Sequence, residues 1–239
     1  MEFTYNDIDE LTALFTLHPD QVAAVFMEPV IVNPPGQGYL QLVKELCEQN
    51  GALLIFDEIV TGFIWALGGA QEYFKVIPHL ATFGKGMANG MPLNAVVGRR
   101  NIMEQCEEIF FSTTFGGECL SLAAGLATVK FMRDNNYIRH IWQIGYLLMG
   151  GLKSLGLEVQ GYPCRPAIIM PDDQVWRSKL MQELAKREVL IHNGGLLNLS
   201  YSHTVADIDK ALNAFEDALK VIDKVELEGS MVQPAFRRL

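Results

Sequence analysis

Cysteine is scarce: Cys47, Cys106, Cys119 and Cys164 are the only four in 239 residues, and no two form a CxxC pair. That scattering excludes a disulfide framework and a cysteine-based zinc site, and it points to four reduced thiols in a cytoplasmic protein. The five histidines (His18, His79, His140, His192, His203) show no HExxH or other ligand spacing, so no metal site is expected. Positive charge is in deficit, with 19 Lys and Arg against 28 Asp and Glu and a net charge of −9. This excludes nucleic acid or an anionic membrane as the main partner. No apolar run approaches the ~20 residues needed to span a bilayer. The opening Met-Glu-Phe-Thr-Tyr-Asn-Asp is acidic, unlike a secretory leader. Also missing are GxSxG, GxGxxG and a Walker A sequence, which sets aside a serine hydrolase and a generic nucleotide-binding domain. There is no internal repeat.

What is present is a hydrophobic fraction of 49%, enough for a core, arranged as apolar runs alternating with helical patterns. Residues 22–27, 52–56, 80–83 and 94–97 read as strands, and residues 40–50 as a helix closed by Gly51. Strands separated by helices predict an α/β fold with a mostly parallel sheet covered on both faces. Residues 118–133 and 138–155 read as two long helices. Beyond them the texture changes to short strands (157–160, 167–170, 197–200), a helix over 175–187, and a capping box at Thr204-Val-Ala-Asp207 that opens a helix over 208–224. The expected organisation is the C-terminal part of a large domain, residues 1–135, followed by a small α+β domain, residues 136–239. No first strand with a glycine-rich phosphate turn precedes Val22, so the chain is expected to begin part-way through a longer domain.

Ligands of such sheets sit beyond the carboxyl ends of the strands. Glu28, Asp57 and Lys85 all fall there, Asp57 and Lys85 being 28 positions apart. Lys85, between Gly84 and Gly86, suits close approach by a cofactor, and desolvation at a strand end would make its amine nucleophilic; a solvated loop lysine is the plain alternative. Asp57 follows five apolar residues and needs a cationic or hydrogen-bonding partner, or else it simply caps a turn. One coenzyme requires both groups. Pyridoxal phosphate (PLP) needs an amine to hold its aldehyde and a carboxylate to keep its pyridine nitrogen protonated. Ser112-Thr113-Thr114-Phe115-Gly116-Gly117, just before a helix, suits a phosphate at the helix N-terminus or ordinary N-capping.

The order of these pieces is more specific than any one of them. Glu28-Pro29, Asp57-Glu58-Ile59-Val60-Thr61-Gly62-Phe63, Thr82-Phe83-Gly84-Lys85-Gly86, Pro92-Leu93-Asn94 and Thr113-Thr114-Phe115-Gly116-Gly117 together resemble the class III PLP-dependent aminotransferases of fold type I. The resemblance runs on through Leu197–Thr204 and so covers nearly the whole chain. It implies that Lys85 is the catalytic lysine that holds PLP and moves the proton, that Asp57 pairs with the pyridine nitrogen, that Ile59 packs on the ring face, and that Thr114 reaches the coenzyme phosphate of a neighbouring subunit. It therefore implies a homodimer with shared active sites, acting on a small-molecule amine and a carbonyl acceptor. Asn33, Val60 and Leu67–Tyr73 resemble the glutamate-1-semialdehyde aminomutase branch. Ile64 and Phe115-Gly116-Gly117-Glu118 depart from it, and an aminotransferase of aminomutase-like sequence fits better. Members of this family carry an N-terminal region with a phosphate-gripping Gly-Thr turn and an aromatic residue over the ring. This chain is expected to correspond to the C-terminal half to two-thirds, with either a complementary N-terminal segment restoring activity or a truncated, non-catalytic chain pairing with a full-length relative.

Overall fold

The computed structural model describes residues 1–110 and 113–233, which divide into two compact units, Met1–Ile138 and Arg139–Leu239. The first unit opens with α1 (Ile8–Leu17), capped where the Asp7 carboxylate accepts the Glu10 N–H at 2.8 Å. Then follow β1 (Ala24–Met27), α2 (Tyr39–Gln49), β2 (Leu53–Asp57), the short α3 (Ala70–Phe74), β3 (Leu80–Phe83), a 3-10 turn (Lys85–Ala88) and β4 (Ala95–Gly98). After the short α4 (Arg100–Met103) comes the long α5 (Cys119–Asp134), and α6 (Tyr137–Ser154) leads into the second unit.

The sheet order is β1-β2-β3-β4. β1, β2 and β3 run parallel, with Met27 opposite Phe56 and Asp57 opposite Thr82. β4 is antiparallel to β3, pairing Ala95 with Phe83 across the connection 84–94. α1 and α2 cover one face of β1 and β2: Leu11, Phe15, Tyr39, Leu40 and Val43 pack with Val25, Met27, Leu54 and Phe56 in one buried cluster. The other face departs from the sequence expectation of a sheet covered on both sides. Ala24 and Phe26 are exposed there, Phe26 by 57%, and Leu53, Ile55 and Asp57 are only half-buried. Strand alternation therefore shows as exposed–buried–exposed–buried along β1, because no described element lies over its second face.

The second unit contains the hairpin of β5 (Val159–Tyr162) and β6 (Arg165–Ile168), then α7 (Gln174–Lys186) and α8 (Val205–Val221). The capping box at Thr204 and Asp207 is present, with the Thr204 N–H donating to the Asp207 carboxylate at 2.8 Å. The strand expected over 197–200 is absent. A single antiparallel bridge from Leu196 to Ala167 stands in its place, together with Leu197 N–H donating to the Pro166 carbonyl at 2.8 Å. That segment touches the hairpin edge for one residue and then leaves it, too briefly to form a ladder. Among the described residues no helix is long and apolar enough to cross a membrane.

Candidate functional site

β2 delivers Asp57 as its last residue, half-buried on the sheet face away from α1 and α2. Its Oδ1 accepts the Ile59 N–H at 2.9 Å and, more weakly, the Thr82 hydroxyl at 3.4 Å. Among the described residues Oδ2 has no hydrogen bond, so one carboxylate oxygen stands ready for a cation or donor. The Glu58 N–H donates to the Thr82 carbonyl at 2.9 Å, which carries the β2–β3 pairing one residue beyond Asp57. Ile59 then turns toward β3: a Cβ added to Gly84 would lie 3.8 Å from Ile59 Cγ1.

Lys85 begins the 3-10 turn directly after β3 and Gly84. Its φ of 41° lies in the left-handed region, a conformation that costs a non-glycine residue roughly 1 kcal/mol or more. The turn is closed by the Met87 N–H donating to the Gly84 carbonyl at 3.0 Å. Lys85 is exposed, which corrects the expectation of a desolvated amine: among the described residues nothing covers this strand end. Asp57, Ile59 and Gly84-Lys85 thus come together on the carboxyl ends of two adjacent parallel strands. Thr114 belongs to the exposed turn before α5, and Ser112 lies outside the described residues.

The N-terminus of α5 is already filled. Glu118 is the N-cap, accepting the N–H groups of Leu120 at 2.6 Å and Ser121 at 2.7 Å. Hydrogen bonding to Ser121, then to Leu120, holds its carboxyl below the usual range. A phosphate seated directly on this helix end would meet a carboxylate using the same N–H groups, so the structure does not support the helix-terminus form of the phosphate expectation.

Sequence reasoning passed over Glu58. Its side chain is fully buried and accepts the Thr61 hydroxyl, the Ala70 N–H at 2.8 Å and the Gln71 N–H at 2.7 Å. Burial pushes its carboxyl up, opposed by these donors in turn. A signal was available in the sequence. A second carboxylate after a buried run must find partners, and Thr61 stands three residues on. His79, also buried, accepts the Leu54 N–H on Nδ1 at 2.8 Å, while its own N–H donates to the Leu54 carbonyl at 2.9 Å.

Comparison with known proteins identifies the family and the fold. Residues 3–219 match the family model described as aminotransferase class-III. The glutamate-1-semialdehyde 2,1-aminomutase of Alkaliphilus oremlandii is 37% identical over 92% of this chain and 57% of its own length. That of Lachnoclostridium phytofermentans, designated 2, is 41% identical over 92% and 58%. Among solved structures, the PLP internal aldimine form of the FumI protein from Sphingopyxis sp. MTA144 superposes with a TM-score of 0.87 at 26% identity, over 95% of this chain and 59% of that one. An omega-transaminase from Sphaerobacter thermophilus gives 0.86 at 24% identity over 92% and 57%, a likeness of fold. The fold is that of the fold type I PLP transferases. The chain spans a little under three-fifths of the length of these relatives. Motif order, strand-end geometry and the family match lead to one assignment: this chain belongs to the class-III aminotransferase family.

Proposed function

We propose that this chain is part of a PLP-dependent enzyme that transfers an amino group between a small-molecule amine and a carbonyl acceptor. The observation that carries this reading is the joint placement of Asp57, Ile59 and Gly84-Lys85 on adjoining strand ends. The side chains present suit the coenzyme: an accessible primary amine, a half-buried carboxylate with one oxygen lacking a hydrogen bond among the described residues, and an apolar side chain, Ile59, close to Gly84. When bound, PLP supplies an electron sink for the substrate carbon. Lys85 Nζ would hold the coenzyme and would move a proton at the substrate carbon. Asp57 would keep the pyridine nitrogen protonated, and Ile59 would pack on the ring. Thr114 serves the phosphate of a neighbouring subunit in a homodimer with shared sites.

The curated relatives named as 2,1-aminomutases support an intramolecular version of the same chemistry. The departures at Ile64 and Phe115–Glu118 favour transfer between two substrates. Because the chain spans only part of its relatives' length, a complementary N-terminal segment is the natural partner, and the open face at Phe26 supports that reading. The same open face favours a second reading, a non-catalytic chain that pairs with a full-length aminotransferase.

The test is borohydride reduction of the purified chain with PLP, followed by peptide mass mapping, with Lys85→Ala as control. The expected result is a pyridoxyl group on Lys85 alone, lost in the variant, with amine transfer appearing once a complementary N-terminal segment is supplied. Labelling scattered over surface lysines, with and without that segment, overturns the assignment of Lys85. Selective labelling without turnover, together with co-purification of a full-length relative, points to the second reading.

A further inference from the structure

Between Asp57 and α3 the chain makes a loop, residues 58–69, whose fixed point is one side chain. Glu58 is 0% exposed, and both of its carboxylate oxygens are used: Oε2 takes the Thr61 hydroxyl and the Ala70 N–H, and Oε1 takes the Gln71 N–H at 2.7 Å. The loop is therefore tied at its start, its first turn and its far end to a single group. Gly69 has φ 86° and lies against this carboxylate, so that a Cβ there would run into Oε2. Only glycine lets the loop close on the acid.

The tied loop reaches the lysine strand. Gly62 donates its N–H to the Glu58 carbonyl at 2.8 Å, and a Cβ at Gly62 would lie 2.5 Å from Phe83 Cδ1. Phe63 stacks at a tilt on Phe83, with ring centroids 5.7 Å apart. Phe83 is the last residue of β3, two positions before Lys85. Phe63 and Lys85 both hold left-handed φ values, 63° and 41°. Such backbones persist only when their surroundings over-determine them.

We propose that Glu58 is the positioning residue of the candidate coenzyme site: its buried carboxylate fastens the loop so that Asp57 and Ile59, on one strand end, and the Phe83–Lys85 turn, on the next, keep one mutual arrangement. Glu58 acts through these residues and does not itself touch the reacting atoms. The proposal rests on the reading of Asp57 and Lys85 given above.

The test compares the full chain with Glu58→Gln, Glu58→Ala and Gly69→Ala, the last of which displaces the carboxylate from outside. Asp57→Ala is the reference that removes a proposed coenzyme contact while leaving the latch intact. Two readouts are needed: hydrogen exchange of residues 59–71 and 83–86, and the yield of borohydride-trapped pyridoxyl group on Lys85 at limiting PLP. In Glu58→Ala and Gly69→Ala exchange should rise roughly tenfold or more in both segments, and the Lys85 adduct should fall about tenfold. Glu58→Gln, which keeps one acceptor oxygen, should fall between Glu58→Ala and the parent. Asp57→Ala should lower the adduct and free the Ile59 N–H that Asp57 accepts, with exchange over 60–71 unchanged. Faster exchange confined to 59–71, with 83–86 and the Lys85 adduct unchanged, would reduce Glu58 to a structural buried acid and overturn the proposal. If the parent gives no Lys85 adduct with or without a complementary N-terminal segment, the coenzyme reading fails. Exchange at 83–86 still decides whether Glu58 holds the lysine turn.

Discussion

Glu183→Gln should weaken the second unit at neutral pH and leave it nearly as stable as the parent in acid. Glu183 lies on α7 with its side chain 5% exposed, accepting the Arg187 guanidinium at 2.8 Å and the Lys186 ammonium at 3.0 Å. Those two partners, Arg187 first, hold its carboxyl down from the ordinary 4.5 to about 2. At about 1.36 kcal/mol per pKa unit the fall corresponds to a ceiling of roughly 3 kcal/mol. Lys186 is 41% exposed and Arg187 28%, so water screens both cations and can rehydrate them when the carboxylate is gone. The expected loss is about 1–2 kcal/mol. A depressed folded-state pKa stabilises fully above the unfolded value, and that stabilisation is lost as pH falls from about 4.5 toward about 2. Urea unfolding followed by fluorescence, with Trp142 and Trp176 as reporters in this unit, should show the parent–variant gap at pH 7, narrowing below pH ~4.5. A gap that stays constant down to pH ~3, or no gap at pH 7, would refute the charge-pairing argument.

Gly145→Ala on α6 should destabilise although alanine is the better helix former, because the new Cβ would run into the Pro163 carbonyl; a loss of about 2–3 kcal/mol in urea unfolding is expected, and a gain would contradict the packing. His79 accepts an N–H on Nδ1, and burial first, then Arg99, lowers its pKa below 6.5, with Glu48 3.6 Å from Nε2 as the opposing charge. Its contribution is complete above pH ~6.5 and is lost as pH falls through the lower folded value, so a His79→Phe variant should lose part of the parent's decline in urea midpoint below pH 6.5. Phe26→Ser should raise the soluble, monomeric fraction of the isolated chain in size-exclusion chromatography, since Phe26 is 57% exposed on an uncovered sheet face; unchanged association would show that this face is not the sticky one.

The strand ends were legible because they follow from burial. Apolar runs ending in Asp57 and just before Gly84-Lys85 could only be strands feeding polar residues to one edge, and β2 and β3 do this. The capping box at Thr204 was legible for the same reason, since it is written in adjacent residues. What escaped depends on distant parts of the chain. The open face of β1 could not be read from Val25 and Phe26, because a buried strand and a half-buried one share the same apolar letters until the covering element is known. The failed strand at 197–200 has suitable residues, but its ladder contact with β6 is a single bridge, from Leu196 to Ala167. Glu58 carried one local signal, Thr61 three residues on, but its other partners Ala70 and Gln71 lie 12 and 13 positions away and donate from the backbone, which leaves no mark on side-chain identity. Nor did composition foretell Glu118 occupying its own helix end.

Side chains alternate along a strand, so a slip of β2 against β3 by one residue would turn Asp57 toward the face packed by α1 and α2. His79 sits at the far end of that strand pair and grips Leu54 twice, through its backbone N–H and through its ring. Any slip must break both bonds at once and leave a buried ring nitrogen and a buried strand N–H without partners, a cost of about 1–3 kcal/mol for each orphaned group. A residue at the amino end of β3 therefore helps set which way the carboxylate points at the carboxyl end of β2.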